Sequence, residues 1–458
     1  MSFDISSVIE ARSAEREALY ERHVNPQMSR VLRAIGFDRR WVKGSGAVLV
    51  DSQGREYLDT LSGWGVFNLG RNHPTIARAI TDLVALKVAN LVKMDAPLLA
   101  GVLAEALAQR APAGLSTAHF TNSGTESAEA ALKFARCATR RRRVVFCDNG
   151  YHGLTYGSLS AMGSDYFREG FGPFLADFTA VPFGDLGSLE RELARGDVAL
   201  FITEPIQGHG VIMPPAGYLR EAKSLCERHG TMLAIDEIQT GLGRTGRFFA
   251  FEHDGVAPDM VLLAKALSGG LVPVGAVLLR PETYARVFPT MERCVVNSGT
   301  FAENDLAMAA GLATLHVLDD ERLMERASRA GERLREGLER LQSQSEFIKE
   351  VRGRGLMVAV EFGEPGSRLP KLGWKTVHGL RPGLFAQMIA MALFERHRIL
   401  SQAAGNAIEV LKFIPPLVVT DEQVDHLIES LGSVLRDAER FPGGLWDVAV
   451  RLARLATS

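Results

Sequence analysis

The residue with the most chemistry to offer is Lys265. It follows an apolar run, Met260-Val261-Leu262-Leu263-Ala264, and precedes Ala266-Leu267-Ser268-Gly269-Gly270. A lysine in apolar surroundings loses basicity, and its neutral amine can attack a carbonyl to form a Schiff base. A lysine that snorkels to water, or that pairs with a helix end, would give the same local sequence. Asp236 ends a second run, Met232-Leu233-Ala234-Ile235. A carboxylate there is costly without a cationic partner, unless it is an exposed strand-end acid or a cap.

Three further groups belong with these two. Asn122-Ser123-Gly124-Thr125-Glu126 opens a helical stretch, Ala128-Glu129-Ala130-Ala131-Leu132. Hydroxyls and unpaired N–H groups at a helix N-terminus suit an anion such as phosphate; the plainer reading is an ordinary capping box, Ser123 with Glu126. Tyr151 and His152 follow the run 144–147. Tyr151 could lie over a flat ring, or be a core aromatic. Glu204 follows the run 198–202. A protonated pyridine nitrogen would give Asp236 its cation, and pyridoxal-5′-phosphate (PLP) enzymes use an aspartate in that way to keep the ring an electron sink.

These groups need a scaffold that gathers them. Short apolar runs alternate with helix-period segments such as 217–229 between about residues 115 and 280. That alternation predicts an α/β fold with a mostly parallel sheet flanked by helices. Ligands bind such sheets beyond the carboxyl ends of the strands. Five strand ends would then deliver an anion loop, an aromatic with a histidine, two acids and a lysine to one rim. Upstream, residues 45–60 alternate around a glycine turn and predict a hairpin. From about residue 320 the chain reads as helix-rich, with a strand at 356–362. The expected division is an N-terminal segment 1–70 belonging to a small α+β domain, a large domain 71–330, and a C-terminal small-domain part 331–458.

Bulk properties set the frame. A chain of 458 residues exceeds one compact core. Lys plus Arg is 52 against 54 Asp plus Glu, a net charge of −2, so charge gives no argument for nucleic acid as a partner. Cys137, Cys147, Cys226 and Cys294 form no CxxC pair, so no metal is expected and the thiols read as reduced. Residues 1–23 carry several acids and no long apolar run; neither a targeting peptide nor a membrane span is expected, and the cytoplasm is the expected compartment. The four arginines at 140–143 read as closing the helix begun at Ser127, where cations suit the dipole.

Taken in order, these residues resemble the class III (ornithine, acetylornithine and ω-amino acid) aminotransferases of PLP fold type I. The resemblance rests on Asn122-Ser123-Gly124-Thr125-Glu126, Tyr151-His152-Gly153, Glu204-Pro205-Ile206-Gln207-Gly208, the stretch from Asp236 to Lys265-Ala266-Leu267, Ser298-Gly299-Thr300-Phe301 and Val351-Arg352-Gly353-Arg354-Gly355-Leu356-Met357. The interval 265 − 236 = 29 matches the family's spacing. It implies that Lys265 carries the cofactor and shuttles protons and that Asp236 pairs with the ring nitrogen. Ser123, Gly124, Thr125 and a partner's Thr300 would hold phosphate. Tyr151 would stack on the ring beside His152, Gln239 would contact the ring hydroxyl, and Glu204 would orient the acidic cluster. It also implies a homodimer with shared sites, taking an amine donor and a keto-acid or aldehyde acceptor.

Three positions depart from the α-ketoglutarate-using members. Leu154 stands where they commonly carry arginine, His209 where they carry glutamate, and Lys412 where they carry arginine before Pro415-Pro416-Leu417. Leucine does not replace a bidentate grip on a carboxylate, and lysine replaces it only in part. A terminal amine on a longer or more apolar molecule is therefore expected, with Trp64 and Phe67 as an apolar wall; a carboxylate held by Lys412 is the competing reading. Two other chemistries compete: a PLP decarboxylase or mutase on the same scaffold, and a nicotinamide oxidoreductase using Gly241-Leu242-Gly243-Arg244-Thr245-Gly246, which fits GxGxxG but is followed by no clear helical period.

Overall fold

The computed structural model describes residues 3–405 and 407–446. Its strands are β1 (Trp41–Ser45), β2 (Val48–Asp51), β3 (Glu56–Asp59), β4 (Thr117–Thr121), β5 (Arg143–Cys147), β6 (Phe178–Val181), β7 (Val198–Thr203), β8 (Met232–Asp236), β9 (Met260–Leu263), β10 (Gly275–Leu279), β11 (Ile348–Arg354), β12 (Met357–Phe362), β13 (Ile399–Leu400), β14 (Gln402–Ala403) and β15 (Val410–Phe413). Seven form one sheet in the order β4-β10-β9-β8-β7-β5-β6. Only β10 runs against its neighbours. The mostly parallel α/β sheet expected from the apolar runs is the one present.

The runs are apolar throughout because both faces of this sheet are covered. Val145, Phe201, Ile235, Val261 and Leu263 enter one core. Their alternating neighbours Val144, Phe146, Leu200, Ala234 and Leu262 enter the other. The helix Tyr218–Arg228 contributes Leu219, Ala222 and Leu225 to the first, and the helix Gly124–Thr139 contributes Ala128, Ala131 and Leu132 to the second.

The N-terminal hairpin is present as β2 and β3, antiparallel, with Asp51 accepting from Gln53 and Arg55 across the turn. Two further sheets are four-stranded, β1-β2-β3-β13 and β11-β12-β15-β14. The arginine run is divided differently from the expectation. The helix ends at Thr139, and Arg140 takes a left-handed C-cap conformation. Arg143 is a strand residue, buried and paired with Glu192 at 2.9 Å and Asp197 at 2.8 Å. Carboxylates on neighbouring segments, rather than the helix dipole, hold that charge.

The GxGxxG stretch makes consecutive turns and opens no helix, so the dinucleotide reading loses the context it requires. The stretch is a structural junction instead. Arg244 is fully buried, and its guanidinium donates to Leu356 O at 2.8 Å, to Asn68 Oδ1 at 2.6 Å and to Pro415 O. Burial lowers its pKa to about 9, against the opposing pull of Asp59. Arg244→Ala should strand these acceptors and open a cavity. Its expected cost is about 3–5 kcal/mol, from buried acceptors stranded at about 1–3 kcal/mol each, seen as a fall of several degrees in the thermal midpoint; an unchanged midpoint would show that the junction is dispensable.

Candidate active site

The site forms where the expected rim lies, beyond the carboxyl ends of β4, β5, β7, β8 and β9. At the end of β9, Lys265 opens a short 3-10 turn with φ +46. Left-handed backbone is unfavourable for a side chain of this kind and recurs at functional positions. Burial lowers the pKa of its amine, and the charges of Asp236 and Glu204 oppose that fall. Both acids therefore act on the lysine through space.

Asp236 is buried at the end of β8. Its Oδ2 lies 2.8 Å from His152 Nδ1, and its Oδ1 accepts from Ile238 N at 3.0 Å. Burial alone would lower the His152 pKa, but the hydrogen bond and charge of Asp236, helped by Glu204, outweigh it and raise the value. His152 Nε2 is buried without a partner. Glu204, at the end of β7, accepts from Tyr151 N at 3.0 Å and Gly208 N at 2.8 Å. Its pKa is raised, first by burial, with His152 opposing and Asp236 adding. Glu237, the next residue after Asp236, is turned away to Thr240 at 2.6 Å and Phe251 N at 2.9 Å.

The anion loop is a helix N-terminus. Ser123 caps it, accepting from Glu126 N at 3.3 Å, while Glu126 reaches back to Asn122 N at 2.7 Å. The capping box is thus displaced by one residue, and the plainer reading of the motif is the one these bonds show. A Cβ at Gly124 would stand 2.8 Å from Ile238 Cδ1, so a larger residue there would push that side chain aside. The Thr125 hydroxyl is occupied by Thr155 at 2.7 Å and Ser158 at 2.8 Å. Behind them Glu129 accepts from Thr155 Oγ1, Gly157 N and Ser158 N. Sequence reading missed this layer. Glu129 was a helix residue like any other, and nothing local signals a partner 26 residues away.

Tyr151 is partly exposed, its ring edge-on to Phe167 with centroids 5.3 Å apart. Gln239 Nε2 donates to Trp64 O at 2.9 Å, and Lys412 Nζ lies 3.4 Å from Gln239 Oε1 and 2.8 Å from Gly208 O. His209 packs on Gly405, and burial, then Lys412, lowers its pKa. Leu154 and Trp64 are about half exposed. Phe67 carries Arg71 over its ring at 4.2 Å, and Arg71 is held by the buried Asp59 at 2.9 Å. Thr300 sits on an exposed segment whose Gly299 lies beside Asn122 and whose Gly299 O and Ala302 O accept from Lys93.

A single chain thus brings together a lysine, two buried acids, a histidine, an aromatic and a helix N-terminus. The profile of the Aminotransferase class-III family matches residues 36–435, so the chain belongs to the class III aminotransferases. It is 32% identical to the aminotransferase PigE of Serratia sp. (strain ATCC 39006), over 95% of this chain and 55% of that protein. The chain therefore spans about half the length of that curated relative. Among solved structures it is similar to an ornithine aminotransferase of Toxoplasma gondii with partial occupancy of PLP at its active site (TM-score 0.78, 34% identity, 88% of this chain and 90% of that one). It is also similar to an (S)-enantioselective omega-transaminase of Thermomicrobium roseum (TM-score 0.80, 28% identity, 96% and 100%).

Class III aminotransferases are PLP-dependent, and the donor set fits that cofactor. A phosphate matches the helix N-terminus at Gly124, and a protonated ring nitrogen matches a buried carboxylate with lone pairs left over after two hydrogen bonds. An aldehyde matches Lys265. The family does not favour the decarboxylase, mutase or nicotinamide readings.

Proposed function

We propose that this protein is a PLP-dependent aminotransferase moving an amino group between a terminal amine and a keto acid or aldehyde. The observation that carries the reading is the convergence on one rim of Lys265, the Asp236–His152 pair and the Gly124 helix N-terminus. When bound, PLP supplies a Schiff-base-forming aldehyde and an electron-withdrawing ring. The protein supplies the rest. Lys265 holds the cofactor and passes protons to and from the reacting carbon, a task suited to an amine whose pKa burial has lowered. Asp236 keeps the ring nitrogen protonated, and His152 keeps Asp236 oriented. Ser123, Gly124 and Thr125 receive the phosphate, Tyr151 covers the ring and Gln239 meets its hydroxyl.

Thr300 completes the phosphate site from a second copy, and the working unit is a homodimer. In support, Met94, Leu98, Met291 and Phe301 are more than half exposed on segments around Thr300, an apolar surface of the kind that marks an interface. We place the enzyme in the cytoplasm, consistent with four free cysteines; among the described residues no helix is long and apolar enough to cross a membrane.

The substrate reading rests on Leu154, His209 and Lys412. A panel of amines with a keto-acid acceptor, scored by amino-group transfer, tests it. A long-chain terminal amine should exceed N-acetylornithine in kcat/KM by about tenfold or more. Equal turnover of the two would remove the substrate assignment. Absence of transfer from every amine would remove the activity.

A further inference from the structure

Lys412 stands in the middle of the small sheet, on β15 between β12 and β14, paired across to Ala359 and Gln402. It is 5% exposed. Its ammonium is nonetheless directed at the large sheet's rim, to Gly208 O at 2.8 Å and Gln239 Oε1 at 3.4 Å. Gly208 in turn donates to Glu204, and Gln239 donates to Trp64 O. The arrangement fixes the Gln239 amide. Its oxygen faces an ammonium and its nitrogen faces a carbonyl, so the flipped amide would oppose two donors and two acceptors. Gly208 permits the approach, since a Cβ there would fall 2.4 Å from Gln239 Oε1.

We propose that Lys412 is a positioning residue that orients Gln239 and the Glu204–Gly208 turn, and that it is not an anchor for a substrate carboxylate. The inference rests on the PLP reading of the site. It narrows the amino donor to amines with no carboxylate on the amine-bearing carbon. Two of the three N–H bonds of Lys412 are committed to protein acceptors. The one left offers a single hydrogen bond, not the paired fork of a guanidinium. The charge is also depleted. Burial first, then Lys265 and Arg244, lower its pKa to about 7, with Glu204 opposing. His209, the remaining titratable neighbour, has its own pKa lowered in part by Lys412 and brings no negative charge.

The test uses the whole protein with PLP and the variants Lys412→Met, Lys412→Arg, Gln239→Met and Lys412→Met/Gln239→Met. One readout is the PLP dissociation constant from fluorescence titration. The other is kcat/KM for phenylalanine and for 2-phenylethylamine, which differ only in the carboxylate; where phenylalanine is not turned over, its inhibition constant serves as its affinity.

Lys412→Met should weaken PLP retention about tenfold and lower reactivity with both amines together, their ratio holding within about twofold. Lys412→Arg should recover part of the retention. The Lys412→Met effect on retention should largely vanish in the Gln239→Met background, as it must if one residue acts through the other. Unchanged PLP retention with a loss confined to phenylalanine would make Lys412 a carboxylate anchor and overturn the inference. Additive losses in the double variant would also overturn it. A wild-type protein that binds no PLP would take the parent reading down with it, a result distinct from either.

Discussion

Lys265→Ala is expected to lower amino-group transfer by more than about a thousandfold, while PLP still binds without a covalent link. The lysine is the one group whose chemistry no neighbour can repeat. Lys412, the other buried amine on the rim, is directed at Gly208 O and Gln239, and Lys265 itself depresses its charge. The helix N-terminus at Gly124 does not depend on position 265, so the phosphate grip should survive. Stability should change little. The left-handed backbone at position 265 is as unfavourable for alanine as for lysine, and the variant removes a partly desolvated amine. Hydride reduction and peptide mapping give the decisive readout. In the wild type the cofactor should map to the peptide containing Lys265; in the variant no peptide should carry it. A tag on another lysine would move the catalytic centre.

Much of this site is legible in the sequence because a parallel sheet writes itself plainly. β7 and β9 are buried along their whole length, so each appears as an apolar run, broken in β7 only by its last residue Thr203, and polar residues just after the runs reach the rim. Asp236 and Lys265 are the first polar residues after their runs, and Glu204 comes one residue later, after Thr203. The same logic separates the two glycine-rich motifs. The Gly124 loop opens a helix of 16 residues, whereas the stretch 241–246 turns back on itself around a buried guanidinium. Arg244 was legible only as a motif residue; its partners Asn68, Leu356 and Pro415 lie more than 100 residues away in either direction.

What sequence left hidden is the supporting layer. Glu129, Thr155 and Ser158 stand behind Thr125 through bonds that join a helix to a later turn. Lys412 reaches Gln239 across 173 residues, from one sheet to another. Neither has a local signature, because no periodicity encodes which loops a fold will bring together. The arginine run shows the opposite error. A local rule, cations at a helix end, explained four residues at once, but tertiary partners claimed Arg143 for a strand.

Asp236 offers the second large effect, and it separates charge from packing. Asp236→Ala removes the acceptor of Ile238 N and the partner of a buried histidine whose other nitrogen already lacks one. Breaking a buried pair in this way costs about 3–5 kcal/mol, so a lower thermal midpoint is expected along with lost turnover. Asp236→Asn keeps the size and an acceptor for Ile238 N and removes only the charge. Amino-group transfer should then fall by about a hundredfold or more, with a much smaller change in midpoint.

Its pH signature is specific. In the wild type the His152 pKa is raised above the ordinary imidazole value of about 6.5. That pairing contributes stability in full below the ordinary value, and the contribution is lost as pH rises through the raised one. Without the Asp236 charge, burial of His152 wins and its pKa falls. The thermal midpoint of Asp236→Asn should therefore decline less on raising pH through the neutral range than that of the wild type. Parallel pH profiles for the two proteins, with turnover retained, would mean that Asp236 neither charges His152 nor serves the ring nitrogen.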